Sequence, residues 1–350
     1  MPRINQDLIA ERLKLSRTTV SRSLANHPAI SRETRARVLA AAEQLGYRNA
    51  PARLARRIRQ RKQMTVGVVI GVPSKDVGLV TFPLILKGIH ERATIEDVTV
   101  DVCYQDPKDF DPEARRNPVF GHIRGGDWRG TILIHPFSQE AVGVISRKIS
   151  TVSVLEDYCD MGVDSIDTDH SAGIIRLVQE LADRGHKRIG FLAWDYPVGG
   201  HWSRRRFAAY VEGLFTQGLE FQQDWALNVH KAAARFSIAQ LAEKVAAKIR
   251  NDRVTAWVCA ADHQAYQLIQ DLRARGIRVP EDCSVTGFDG IAPPMGMEPV
   301  ATLRVPLEDI GGSALIRVLN RIAHPHAPCR KFLVQAEFVE GKTMARAHFP

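Results

Sequence analysis

Apolar positions divide the chain into two textures. Up to about residue 49 they recur at helical period in short stretches. Leu8, Ile9 and Leu13 share one face around Ala10, and Asn5 is a good N-cap for that turn. Ser16 opens a second helix, Arg17 to Leu24, with Val20 and Leu24 turned inward; Asn26, His27 and Pro28 end it. Ser31 caps a third, with Glu33 in its first turn near the positive dipole end. Val38, Leu39, Ala42 and Leu45 form its expected buried side, and Gly46 stops it. Two short helices across a tight turn, braced by a third, predict a helix-turn-helix unit.

From Met64 the texture changes to short β-rich runs alternating with helical stretches. TVGVVI, VTVDVC, TILIHP, TVSVL, GVDSIDT, KRIGFLAW, TAWVCAAD, CSVTGFD and KFLVQAEFV read as strands. Helices are expected over Leu84 to Ala93, Gly173 to Arg184, Arg204 to Gln217, Ile238 to Ile249 and His263 to Arg275. Such alternation gives parallel sheets with helices on both faces. About eleven strands are too many for one small sheet, so two Rossmann-like lobes around a cleft are expected.

Charge separates the same two regions. Residues 1–62 hold 15 Lys+Arg and 4 Asp+Glu, whereas the remaining 288 hold 33 and 35. A basic head on a near-neutral body points the head toward a polyanion. Arg17, Thr18, Thr19, Ser21 and Arg22 share the polar side of the second helix. Arginine can grip guanine O6 and N7 with two hydrogen bonds, and threonine can touch a thymine methyl or a phosphate. The five cysteines are odd in number, widely spaced and free of any CxxC pair, which argues against a disulfide framework and suits a reducing cytoplasm. No apolar run approaches the roughly 20 residues that span a bilayer, and the polar start, MPRINQDLIAERL, is not a secretory signal.

The run LSRTTVSRSLANHPAISRETRARVLAAAEQLGYR resembles the signature of the lac repressor (LacI/GalR) family of transcriptional regulators. The resemblance implies that Arg17, Thr18 and Arg22 read bases, while Ser16, Thr19, Ser21, Asn26, Ser31 and Tyr47 anchor phosphates. Lys14 departs from the pattern, since the family usually has Gly in that turn. The next stretch, RNAPARLARRIRQRKQ, carries seven Arg/Lys between Arg48 and Lys62, with Leu54 and Ile58 spaced i, i+4. It resembles the family's hinge helix, which folds on operator DNA and wedges a side chain into the minor groove. A two-residue insertion before Pro51 brings PARLARRI into register and puts Ile58 at the wedge position, with Leu54 one turn before it. A plain basic linker is the alternative.

The body also has the family's recurring segments, among them DRGHKRIGFL, RARGIRVPEDCSVTGFDG and PVATLRVPLEDIGG. The implied fold class is α/β with an all-α head: a helix-turn-helix domain (1–49), a hinge (50–63) and a two-lobed periplasmic-binding-protein-like effector and dimerisation domain (64–350). Its lobes are expected at about 64–157 with 291–319 and about 158–290 with 320–350. By resemblance Arg206 and Asp262 bind the effector, Phe236 either stacks on it or is a core aromatic, and Phe82 and Asp169 are weaker candidates. Ala261 and His170 stand where the family usually has Asn, which alters the polar lining. Arg204 and Arg205 beside Arg206 are equally able to be surface charges.

The expected partners are near-palindromic operator DNA, a sugar-like effector and a second copy of the chain. No cofactor, catalytic residue, metal or membrane partner is expected, and the site of action is the cytoplasm, on the nucleoid. The sequence contains no HExxH or GxSxG, and EGKT at Glu340 to Thr343 lacks the preceding glycine of a P-loop. His324, His326 and Cys329 read as a polar loop rather than a metal site. The competing function is an α/β small-molecule binding protein or enzyme with a basic extension.

Overall fold

A computed structural model describes residues 6–24, 30–45, 64–72, 81–111, 117–194, 201–229 and 236–348. Asn26, Tyr47, Leu54 and Ile58 lie outside the described residues, as does the hinge over 50–63. The chain forms two compact units, Met1–Gln63 and Met64–Pro350.

The first unit holds α1 (Gln6–Leu13), α2 (Arg17–Leu24) and α3 (Arg32–Gln44). Ile9, Ala10, Val20, Val38, Ala41 and Ala42 form its small core. Leu39 is 49% exposed, contrary to expectation. Positions 38, 41, 42 and 45 follow the helical stripe, and residue 39 turns away from it. Lys14 takes φ 53° between α1 and α2. Its amide donates to Glu11 O and that of Leu15 to Ala10 O, the paired bonds of a left-handed helix stop. Lysine thus occupies a conformation that glycine enters without steric cost.

The body begins with β1 (Thr65–Gly71), α4 (Thr81–Ile95), β2 (Thr99–Gln105), α5 (Pro118–Gly125), β3 (Gly130–Ile134), α6 (Gln139–Ser146), β4 (Ser150–Val154), β5 (Asp164–Thr168) and α7 (His170–Asp183). Next come β6 (Ile189–Leu192), α8 (Trp202–Thr216), β7 (Ala226–Leu227), α9 (Ile238–Asp252), β8 (Ala256–Cys259), α10 (Asp262–Arg273) and β9 (Ser284–Thr286). The chain closes with β10 (Thr302–Arg304), α11 (Leu307–Ala323), β11 (Lys331–Val334) and β12 (Glu337–Val339).

One sheet has the order β11-β5-β4-β3-β1-β2 and the other β7-β6-β8-β9. All pairings within them are parallel. The central strands β3 and β8 are buried along their whole length, as continuous apolar runs in doubly covered sheets should be. A two-stranded antiparallel ribbon of β10 and β12 belongs to neither sheet.

The lobe boundaries differ from expectation at two crossings. Strand β5 still pairs in the first sheet, so the chain leaves that lobe after Thr168, not near 158. Strand β11 pairs beside it, so the return to the second lobe follows Val334, not 320. Hydrogen bonding of the sheet edge decides this, and the periodicity within either strand does not record it. Helices α5, α6 and α11 were absent from the sequence reading. The last lies against α4 through two glycines: a Cβ on Gly88 would stand 1.8 Å from Glu308 O, and one on Gly311 2.1 Å from Ile85 O.

Candidate functional site

In the head, α2 exposes Arg17, Thr18, Ser21 and Arg22, and buries Val20 and Ser23. Ser23 Oγ donates to Thr19 O at 2.8 Å, which keeps a polar residue on the inward side. Arg17 is held 3.4 Å from Asp7 of α1, while both remain exposed. Ser16 and Ser31 cap α2 and α3: their hydroxyls accept from Thr19 N (3.0 Å) and Thr34 N (3.2 Å). The helix thus presents a polar, cationic face fixed from behind by a small apolar core.

In the body, the carboxyl ends of both sheets provide the candidate cleft, where open α/β sheets bind ligands. Arg206, on the first turns of α8, is 5% exposed. Its Nε donates to His170 Nδ1 (3.1 Å), Nη1 to Ala260 O (2.5 Å) and Nη2 to Asp289 Oδ1 (3.1 Å). The guanidinium lies 3.7 Å from the Phe288 ring centroid and 4.9 Å from that of Trp202. Three of five donors are thereby used, leaving one N–H on each terminal nitrogen. Burial pushes the Asp289 carboxyl up, and Arg206 opposes that rise.

His170 links this group to the first lobe. Burial and the Arg206 charge push its pKa down. A neutral ring that accepts at Nδ1 carries its proton on Nε2, which faces Asp167 Oδ1 at 3.4 Å. Asp167, at the end of β5, also accepts from Arg205 Nη1 at 2.9 Å. Arg205 stands 3.6 Å from Asp157 as well, and His201 N donates to Glu156 Oε1 at 3.2 Å. Arg205 is therefore an ion-paired bridge between lobes, while Arg204 is exposed and bonds His201.

Asp262 is fully buried, and both carboxylate oxygens are occupied. Oδ1 accepts from Thr302 Oγ1 (2.5 Å), and Oδ2 accepts from Gly290 N (2.7 Å) and Ile291 N (2.8 Å). Burial, with Asp289 nearby, pushes its pKa up to about 6, against these bonds. A Cβ on Gly287 would lie 2.2 Å from Asp262 Oδ1, so the loop after β9 turns closely around it. The carboxylate holds the 287–291 loop in shape, and Asp289 on that loop meets the buried arginine.

Phe82 is 4% exposed and packs edge-on against Tyr104 at 6.0 Å, within the first lobe's core. Asp169 caps α7, its Oδ1 accepting from Ala172 N at 2.9 Å. Phe236 is half-buried and lies under the Lys244 ammonium at 4.4 Å, with its backbone clasped by the Asn228 side chain.

The sequence reading passed over Asp289, Trp202, His135 and Glu156. His135 follows β3 at φ 69°, and Leu155, just before Glu156, follows β4 at φ 67°. His135 is 8% exposed, its Nε2 has no hydrogen-bond partner among the described residues, and burial lowers its pKa to about 4. Burial raises Glu156. A usable signal existed for three of them: His135, Glu156 and Asp289 are polar residues within three positions of the carboxyl ends of β3, β4 and β9.

A model of the bacterial regulatory proteins of the lacI family matches residues 7–49, and a periplasmic binding protein-like domain matches 178–344. The chain is 28% identical over 332 residues to the NTD biosynthesis operon regulator NtdR of Bacillus subtilis (strain 168), covering 92% of this chain and 93% of that protein. A lac repressor dimer bound to operator and the anti-inducer ONPF superposes with a TM-score of 0.64 at 21% identity, over 98% of this chain and 99% of that one. A complex of the transcriptional regulator CelR with cellobiose gives 0.64 at 19% identity, over 97% and 100%. The likeness to these two structures is one of fold, and it extends over both the head and the body. With a helix-turn-helix head, two parallel-sheet lobes and matches spanning both, the chain joins a lacI-family regulatory-protein head to a periplasmic-binding-protein-like body, and its homologues are LacI-family regulators.

Proposed function

We propose that the protein is a dimeric repressor whose grip on a near-palindromic operator is set by a small polar effector, sugar-like in its hydroxyls. Residues 1–49 read DNA, 50–63 form the hinge, and 64–350 bind effector and pair two chains. Arg17, Thr18 and Arg22 contact bases; Ser16, Thr19, Ser21, Asn26, Ser31 and Tyr47 contact phosphates. Ile58 is the minor-groove wedge, with Leu54 beside it. The protein acts in the cytoplasm, on the nucleoid.

One observation carries the effector half of this reading. Arg206 is buried at the strand ends, stacked on Phe288, with two N–H groups unspent beside the Asp289 carboxylate. A donor pair next to an acceptor suits vicinal hydroxyls, which both give and accept hydrogen bonds. Asp289 thus takes the acceptor role expected of Asp262, and Phe82 contributes packing. Asp169 and Phe236 are the secondary effector contacts in this reading. Closure is favoured by whatever ligand binds the closed lobes better than the open ones.

The test has two parts. Binding of the full chain to genomic fragments, read by gel shift, should select discrete palindromic sites; equal affinity for random DNA rejects the regulator reading. A thermal-shift screen of sugars, sugar acids, nucleosides and amino acids should then find a hydroxyl-rich ligand that changes operator affinity. At 100 times its dissociation constant such a ligand adds about 2.7 kcal/mol.

A further inference from the structure

Two cysteines separated by 170 residues in sequence meet in the first lobe: Cys159 Sγ and Cys329 Sγ are 2.8 Å apart. A disulfide needs about 2.05 Å, so the remaining approach is a small side-chain adjustment. Each sulfur is held by its surroundings. Cys159 begins a single tight turn, Cys159–Met161, whose amide donates to Asp157 and whose carbonyl accepts from Gly162. Cys329 donates to Val163 O at 3.1 Å, and the next residue, Arg330, donates its amide to Asp164 at 2.6 Å. Asp164 is in turn gripped by Arg317 Nε at 2.6 Å, while Arg321 clamps Gly162 O and Ala327 O. This network braces both cysteine-bearing segments against the same corner.

We propose that Cys159 and Cys329 form a reversible intrachain disulfide when the protein meets a peroxide, so that the effector body carries an oxidation-sensitive clip. Both residues are half-buried and reachable, whereas Cys259 and Cys283 are buried; Cys103 is also half-buried but stands on β2, at the opposite edge of the sheet from β11. The Cys159 thiolate attacks a peroxide oxygen, giving a sulfenic acid and hydroxide. The Cys329 sulfur attacks that sulfur, the S–S bond forms, and the hydroxyl leaves as water with the thiol proton. Overall two thiols lose two electrons and two protons, and one hydrogen peroxide becomes two waters. Cys329 holds its proton toward Val163 O, and burial, then Cys159 and Asp164, push its thiol up, so the first attack falls to Cys159. Thioredoxin- or glutathione-type thiols return the pair to its reduced form.

The position gives the bond its effect. Cys159 precedes β5 and Cys329 precedes β11, the adjacent strands that carry the chain toward the second lobe. Strand β11 is the edge of its sheet and pairs there with β5 alone. A bond at the feet of these strands stops β11 peeling away and closes a loop that contains most of the second lobe. The oxidised body should therefore melt at a higher temperature than the reduced one.

The experiment uses the full chain, fully reduced and then treated with one equivalent of hydrogen peroxide. Titratable thiols under denaturation should fall from five to three, and dithiothreitol should restore them. A non-reducing peptide map should show the Cys159 peptide joined to the Cys329 peptide. C159S should keep all four remaining thiols under the same treatment, whereas C329S should lose one, with Cys159 halted as a sulfenic acid that dimedone traps. A linkage to Cys103, Cys259 or Cys283, a linkage between chains, or over-oxidation without any linkage overturns the proposal. The peptide map of the unsubstituted chain decides the matter even where a variant folds poorly.

Discussion

Asp289 Oδ1 accepts from Arg206 Nη2 at 3.1 Å, and the two depend on each other because both are largely withdrawn from water. Removing one partner of a buried pair leaves the other charge uncompensated, which costs about 3–5 kcal/mol. Arg206→Ala should therefore lower the unfolding free energy of the body, read from denaturant titration, by an amount in this range and abolish the effector response. Arg206→Ala combined with Asp289→Ala should recover part of the lost stability but none of the response. An additive double variant would show that the pair is not energetically coupled.

Arg22 is exposed on α2, so its removal should leave the head folded. Arg22→Ala should reduce discrimination between operator and random DNA by about 1–3 kcal/mol, the worth of a good bidentate base contact. Competition gel shifts at fixed salt measure this. Equal losses on both DNAs would assign Arg22 to the phosphate backbone instead.

Lys14 at φ 53° offers a gain in stability. A non-glycine residue in this region carries roughly 1–2 kcal/mol of strain, partly offset by the greater freedom of glycine when unfolded. Lys14→Gly should stabilise the head by about 1 kcal/mol. Amide exchange in α1 and α2 should slow about fivefold. Unchanged exchange would mean that Lys14 relaxes its strain at no cost.

His135 should make stability depend on acid. Its pKa is lowered by burial from 6.5 to about 4. Above pH 6.5 the ring is neutral whether the chain is folded or not. Between 6.5 and about 4 the unfolded chain alone takes up the proton, so stability falls as pH falls, by about 3 kcal/mol at most. Asp262, raised to about 6, acts in the opposite direction over part of this window. The measurement is therefore the difference between the unsubstituted chain and His135→Asn, whose stability should fall less steeply from pH 6.5 to 4. Parallel curves would place His135 in contact with water.

The sequence disclosed elements better than partnerships. The 3.6-residue stripe through Ile9, Val20, Val38 and Ala42 located the head's core, and unbroken apolar runs located β1, β3 and β8. The motif singles out Arg206, which the structure buries against Asp289, but spacing cannot tell which of two carboxylates has its oxygens filled by Thr302 and two loop amides. The lobe boundaries were misjudged for a related reason. Whether β5 and β11 belong to the first sheet depends on strands that lie beside them in space but far away in sequence. The Cys159–Cys329 approach, across 170 residues, was equally beyond spacing rules.

The placement of α11 and β11 has a consequence for how the protein is made. Both pack in the first lobe, yet they lie near the end of the chain. The second lobe also waits, since Val285 N donates to Thr343 O and Ala345 N to Ser284 Oγ. A chain emerging from the ribosome therefore exposes an unfinished β5 edge while the whole stretch between Thr168 and Lys331 is added, and the second lobe's contacts with Thr343 and Ala345 follow only after that. Such late, long-range pairing is slow and leaves sheet edges open to wrong partners, so termination before residue 331 would deprive the first lobe of its edge strand and the second of its Thr343 and Ala345 contacts at once.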